Sequence, residues 1–197
     1  IMQDEEAANY VWGFGFHWYE TWADKQMLFN NLKNVKEAFP NKHLIFTEGC
    51  HEKFNIDSVN NWKLGEKYAH SMINDFNNGT VGWTDWNILL DENGGPNHVK
   101  NFCFAPVHAD LQTGELIYTP SYYFIGHFSK FIRPNAKRVS SAVSRSSLLS
   151  TSFLNTDGKM VTVVMNQSSK SVTYNLIIAS EKTVVTIPAH GIQTLVY

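Results

Sequence analysis

Glu48 closes the apolar part of the run H-L-I-F-T-E-G-C at His43 to Cys50, and it is the residue of this chain best placed to do chemistry. About four apolar residues between Pro40 and Gly49 read as a buried parallel strand. The carboxylate then stands at the C-terminal mouth of that strand. Ligands and catalytic groups gather there in open α/β sheets and β/α barrels, because strand ends hold side chains rigidly while the loops after them vary. A carboxylate in that position can serve catalysis, cap the next helix or pair with a lysine, and one residue alone does not choose among these. Two further runs have the same character: V-W-G-F-G-F-H-W-Y at Val11 to Tyr19 and T-V-G-W-T-D-W-N-I-L-L at Thr80 to Leu90. Metal chemistry is not indicated. His17, His43, His51, His70, His98, His108, His127 and His190 are scattered, with no H-x-x-x-H or C-x-x-C spacing. Cys50 and Cys103 both fall near the expected mouth and read as free thiols, since no spacing argues for a bridge.

Helical segments lie between these runs and must position them. Lys25 to Phe39 brings Met27, Leu28, Leu32, Val35 and Phe39 to one face and stops at Pro40. Ser58 to Asn77 brings Trp62, Leu64, Tyr68, Met72, Ile73 and Phe76 together and is closed by Asn78-Gly79. Strand, helix, strand, helix, strand is the grammar of a β/α barrel. A complete eightfold barrel needs about 250 residues. This chain has 197, and its last third changes character. From Ala136 onward, S-L-L-S-T-S-F-L, M-V-T-V-V-M-N, V-T-Y-N-L-I-I, K-T-V-V-T-I-P and I-Q-T-L-V-Y are short and rich in Val, Thr and Ile. Turns at Asn155 to Gly158 and Gln167 to Lys170 separate them, as in an antiparallel β-sandwich with one solvated face. The expected fold is therefore α/β plus all-β: barrel units over residues 1–134, then a sandwich over 135–197.

Charge and targeting bound the partners. A net charge of -2 without a basic cluster argues against nucleic acid, and no apolar stretch approaches the roughly 20 residues that span a bilayer. There is no initiating Met and no signal peptide, as expected of an internal fragment whose export signal lies upstream. Asn78-Gly79-Thr80 and Asn166-Gln167-Ser168 are sequons that permit glycosylation in a secreted eukaryotic parent.

Several motifs together resemble the glucosylceramidase group of glycoside hydrolase family 30: F-T-E-G-C at Phe46 to Cys50, G-W-T-D-W-N at Gly82 to Asn87, G-G-P-N at Gly94 to Asn97, K-N-F at Lys100 to Phe102, and Y-Y-F-I-G-H-F-S-K-F-I from Tyr122. H-W-Y at His17 to Tyr19 and Y-A-H-S-M-I at Tyr68 to Ile73 fit as well, so the likeness is collinear from about Glu5 onward. The resemblance implies a retaining β-glycosidase built from a (β/α)8 TIM barrel and a β-sandwich. This chain would supply about strands six to eight and the sandwich, and lack the N-terminal half.

On that resemblance Glu48 is the nucleophile, and the general acid/base, a glutamate after an asparagine at the end of the fourth strand, has no counterpart in this chain. Retaining hydrolysis places its two carboxyl groups about 5 to 5.5 Å apart. Tyr19 is expected to donate a hydrogen bond to Glu48. Trp86 is expected to wall the terminal-sugar subsite, with Trp83 in the core, and Asn101 to contact sugar hydroxyls. His17 and Cys103 complete the substrate-binding candidates. After the nucleophile this chain has Gly49-Cys50-His51-Glu52-Lys53, whereas animal lysosomal members carry smaller, less charged residues. Implied substrates are a β-glucoside, glucosylceramide or a β-glucan, with no cofactor, in a secreted, lysosomal or periplasmic parent. The alternatives are a β-1,6-glucanase or β-xylosidase on the same scaffold, or a non-catalytic carbohydrate-binding relative.

Overall fold

A computed structural model describes residues 1–21 and 26–197. The chain opens with a short helix, α1 (Glu5–Asn9), whose first turn is capped by Asp4 accepting from the Ala7 amide. Next come strand β1 (Gly13–His17), helix α2 (Phe29–Ala38) and strand β2 (His43–Glu48). The segment after β2 carries β3 (His51–Glu52) and leads into α3 (Trp62–Asn77) and β4 (Thr80–Trp83). Strands β1, β2 and β4 form one parallel sheet in that order, with β2 central and β1 and β4 as its edges.

Two features of this sheet depart from the sequence reading. The helix expected from Lys25 begins at Phe29, since Gln26, Met27 and Leu28 are not helical and Lys25 lies outside the described residues. β2 was expected to be buried throughout, yet only alternate residues are: Leu44 and Phe46 are 2% and 0% exposed, while Thr47 is exposed. A full barrel covers both faces of each strand. Three strands cover only the helix side, so the other face stays open. The third run also breaks: β4 ends at Trp83, a loop follows, and Leu89–Asp91 forms a separate strand β5.

That strand joins a small sheet after the barrel part. β6 (Cys103–Phe104) pairs antiparallel with β3, and β7 (Val107–Ala109) lies between β5 and β8 (Leu116–Tyr118). Helix α4 (Pro120–Ser129) then starts on a proline, whose missing N–H costs nothing in the first turn. Helix α3 is closed as expected, with Asn78 at the cap and Gly79 at φ +95.

The sandwich part contains β9 (Lys137–Val139), β10 (Leu148–Leu154), β11 (Met160–Asn166), β12 (Val172–Ile178), β13 (Glu181–Ile187) and β14 (Ile192–Val196). All the pairings are antiparallel, in a four-stranded sheet ordered β14-β11-β10-β9 and a two-stranded sheet β12-β13. Of the sequons, Asn166 is 0% exposed and its amide donates to the carbonyls of Lys170 and Pro188, so that position is closed to glycosylation.

One core ties the barrel helices to the sandwich: Ala69, Met72 and Ile73 of α3, Phe124 and Phe128 of α4, and Val163 and Met165 of β11. Each large apolar side chain there contributes about 1.5–3 kcal/mol by leaving water. The α3–α4 contact depends on Gly65, where an added Cβ would sit 2.3 Å from the Phe124 ring. Gly65→Ala should therefore destabilise the chain by about 1–3 kcal/mol through overpacking, despite alanine's better helix propensity. Urea denaturation checks this, and a variant as stable as the parent would count against the packing account.

Candidate active site

The register of the parallel sheet sets the position of Glu48. Phe16 pairs with Phe46, but the register then shifts by one residue, so His17 lies opposite Glu48 rather than Thr47. The chain turns immediately after β1. Tyr19 thus reaches across the strand ends, and its hydroxyl donates to Glu48 Oε1 at 3.1 Å. His17 packs edge-on to Tyr19 with ring centroids 5.5 Å apart. Burial, with Cys50 and Glu48 adding to it, pushes the Tyr19 phenol well above its usual range, so the ring keeps its proton and remains a donor.

Beneath these groups lies an aromatic floor. Trp18, Phe46 and Tyr68 are fully buried, and Trp83 stacks on Phe46 at 4.2 Å with an interplanar angle of 5°. Trp83 Nε1 donates to Asp75, so Trp83 belongs to the core side, as the sequence suggested. Trp86 differs. It is 37% exposed, and its backbone amide reaches Gly49 O at 3.3 Å and Asp85 Oδ1 at 2.9 Å, which brings it beside the segment that follows Glu48.

The other wall is the segment that carries Asn101 and Cys103. The Asn101 amide donates to Glu52 Oε1 at 2.8 Å, an anchor across the β3–β6 ladder that the sequence did not reveal. Glu52 thus holds this loop. Cys103 is 0% exposed, with its sulfur 3.5 Å from that of Cys50. Cys50 Sγ in turn lies 3.5 Å from Tyr19 Oη. Both cysteines are free thiols. Among the described residues, no group of three or more His, Cys, Asp or Glu is arranged to hold a metal ion.

Two carboxyls, one buried (Asp75) and one half-buried (Asp85), support the floor. Burial pushes Asp85 up to about 7, against the hydrogen bonds from Tyr68 and the Trp86 amide that pull it down. Asp75 is likewise pushed up to about 7 by burial, opposed by Ser71 and Trp83. The folded value of Asp75 thus lies above its ordinary 3.8, so the folded state holds the proton more tightly, and stability is lost as pH rises from about 4 to 7. Asp75→Asn should gain stability relative to the parent over that window, by up to roughly 4 kcal/mol, and level off above it. Thermal melts of both proteins from pH 4 to 8 check the sign. A gap that narrowed with rising pH would refute it.

A parallel β/α sheet with a hydrogen-bonded carboxylate at a strand end, joined to a β-sandwich, is the build of a barrel hydrolase. The sequence matches the Glycosyl hydrolase family 30 TIM-barrel domain over residues 1–132 and the Glycosyl hydrolase family 30 beta sandwich domain over residues 135–195. The chain belongs to glycoside hydrolase family 30, as a partial barrel followed by a β-sandwich.

It is 39% identical over 176 residues to the lysosomal acid glucosylceramidase of Mus musculus, covering 87% of this chain and 34% of that protein. The crystal structure of SrfJ from Salmonella typhimurium superposes with a TM-score of 0.92 at 33% identity, over 100% of this chain and 43% of SrfJ. An endo-β1,6-glucanase shares the fold, with a TM-score of 0.83 at 24% identity over 98% of this chain and 42% of the glucanase. The chain spans about a third of the length of the curated relatives it matches.

Proposed function

We propose that this chain is the nucleophile-bearing part of a retaining β-glycosidase of the glucosylceramidase type. The observation that carries the reading is Glu48 at the end of β2 with the Tyr19 hydroxyl 3.1 Å from its carboxylate. In the first step Glu48 attacks the anomeric carbon of a β-linked glucosyl residue. A general acid from the part of the barrel outside this chain protonates the leaving oxygen. In the second step that residue acts as base on water, which releases the sugar from the Glu48 ester. Tyr19 keeps one carboxylate oxygen oriented, Trp86 offers its ring to the C–H face of the sugar, and Asn101 and His17 border the pocket.

The substrate class, a β-glucoside on a lipid or carbohydrate aglycone, and a lysosomal or secreted location rest on the likeness to the mouse glucosylceramidase. Among the described residues, no helix is long and apolar enough to cross a membrane. A 2-deoxy-2-fluoro glucoside with a good leaving group tests the proposal in the full-length parent, because the trapped ester must lie on the peptide containing Phe46 to Cys50. A label on any other carboxylate overturns it.

Trp86 is expected to act on binding rather than on the reacting bonds. Trp86→Ala should raise KM and the inhibition constant of a glucose-like inhibitor together, by about tenfold, while kcat changes little. A fall in kcat with unchanged KM would move Trp86 from the wall of the pocket to the chemistry.

A further inference from the structure

The two thiols are the feature of this site that glycoside hydrolysis does not use. They are the chain's only cysteines. Far apart in sequence, they are brought together by the short β3–β6 ladder, in which Glu52 pairs with Cys103 and Cys50 sits just before β3. Their sulfurs lie 3.5 Å apart, and each has a further partner: Tyr19 Oη at 3.5 Å from Cys50, and the Asn101 carbonyl at 3.4 Å from Cys103. We propose that Cys50 and Cys103 are a redox-active dithiol, which hydrogen peroxide converts to an intrachain disulfide in the folded protein, drawing Cys50 away from Tyr19 beside Glu48.

The chemistry balances in two steps. The Cys50 thiolate attacks peroxide: the O–O bond breaks, an S–O bond forms, and protonation of the departing oxygen gives water and a sulfenic acid. The Cys103 sulfur then attacks Cys50. The S–S bond forms, the S–O bond breaks, and the Cys103 proton leaves with the hydroxide as a second water. Peroxide is reduced and the dithiol oxidised by two electrons. Cys50 is the better attacking sulfur, since its close contact with the Cys103 sulfur holds its thiol below its usual range. Cys103 is held high chiefly by Cys50 itself, and oxidising Cys50 removes that restraint. A small oxidant suits a site where Cys50 is 6% and Cys103 0% exposed. Closing the bond shortens the sulfur separation to about 2.05 Å. The short ladder that joins the Glu48 loop to the Asn101 loop must take up that movement.

The disulfide and its effect on the site are read separately, the second resting on the glycosidase reading. The native chain is treated with hydrogen peroxide, then unfolded and alkylated with a maleimide. Reactive thiols should fall from two to none, non-reducing digestion should give a peptide joining Cys50 to Cys103, and dithiothreitol should restore both thiols. In Cys103→Ser the reaction should stop at a sulfenic acid on Cys50 that dimedone captures. Two thiols surviving peroxide, cross-links between chains, or irreversible oxygen adducts without the joined peptide would each overturn the dithiol.

In the full-length glycosidase, turnover of an aryl β-glucoside should fall at least about tenfold on oxidation and recover with dithiothreitol, and Cys103→Ser should lose no turnover relative to its own untreated rate. A joined peptide with undiminished turnover would overturn the coupling alone. A joined peptide in a protein that cleaves no β-glycoside would sink the proposed function and leave the dithiol standing.

Discussion

Glu48→Gln in the full-length enzyme should lower turnover by on the order of 10⁴-fold while sugar binding stays within a few-fold of the parent. The amide has the shape of the carboxylate and can still accept the Tyr19 hydrogen bond, so the pocket keeps its form. On the proposed mechanism, what it loses is the oxygen nucleophile that forms the glycosyl ester, without which a double displacement does not proceed. Binding of a glucose-like inhibitor, followed by calorimetry, separates this outcome from misfolding. A variant that bound the inhibitor and still turned over at a near-normal rate would remove Glu48 from the reaction. A variant that failed to bind would direct the question to Tyr19→Phe, which keeps the ring and deletes only the hydroxyl bonded to Glu48.

Much of the scaffold behind that prediction was legible in the sequence. The expected strands M-V-T-V-V-M-N and V-T-Y-N-L-I-I coincide with β11 (Met160–Asn166) and β12 (Val172–Ile178), because β-branched runs bounded by turn residues leave little freedom in where a strand starts. The Tyr19 to Glu48 contact was legible through the family resemblance.

What escaped the sequence is set by long-range pairing. The strands β3, β6 and β9 are two or three residues long, so they carry no periodicity to read. The Glu52–Asn101 bond spans 49 positions and exists only because β3 meets β6. The third run contained its own break: Asp85 accepts from the Tyr68 hydroxyl and the Trp86 amide, bonds that turn the chain out of the strand. The acid in G-W-T-D-W-N was the available sign, since a carboxyl inside an apolar run needs partners.

The chain taken alone should hydrolyse neither an aryl β-glucoside nor glucosylceramide above background. Glu52 is bound by Asn101, and Asp85 accepts through Oδ1 from the Tyr68 hydroxyl and the Trp86 amide, so both are tied to the scaffold of the site. General acid help is worth about 10² to 10⁴-fold, and positioning by the remaining barrel loops adds to that. The sheet itself points the same way. β4 is an open edge with Val81 55% exposed, and beside it runs an apolar groove of about 700 Å³ lined by Trp83, Ile88, Tyr123 and Ile125, where further barrel elements would close the wall. Turnover within tenfold of an intact family member would mean that a second carboxyl of this chain serves as the acid. Expression together with the upstream part of the parent should instead restore activity, and that activity should depend on both Glu48 and a glutamate of the other piece. Restoration by a partner in which every candidate acid had been changed to glutamine would break the division of labour between the two carboxyls.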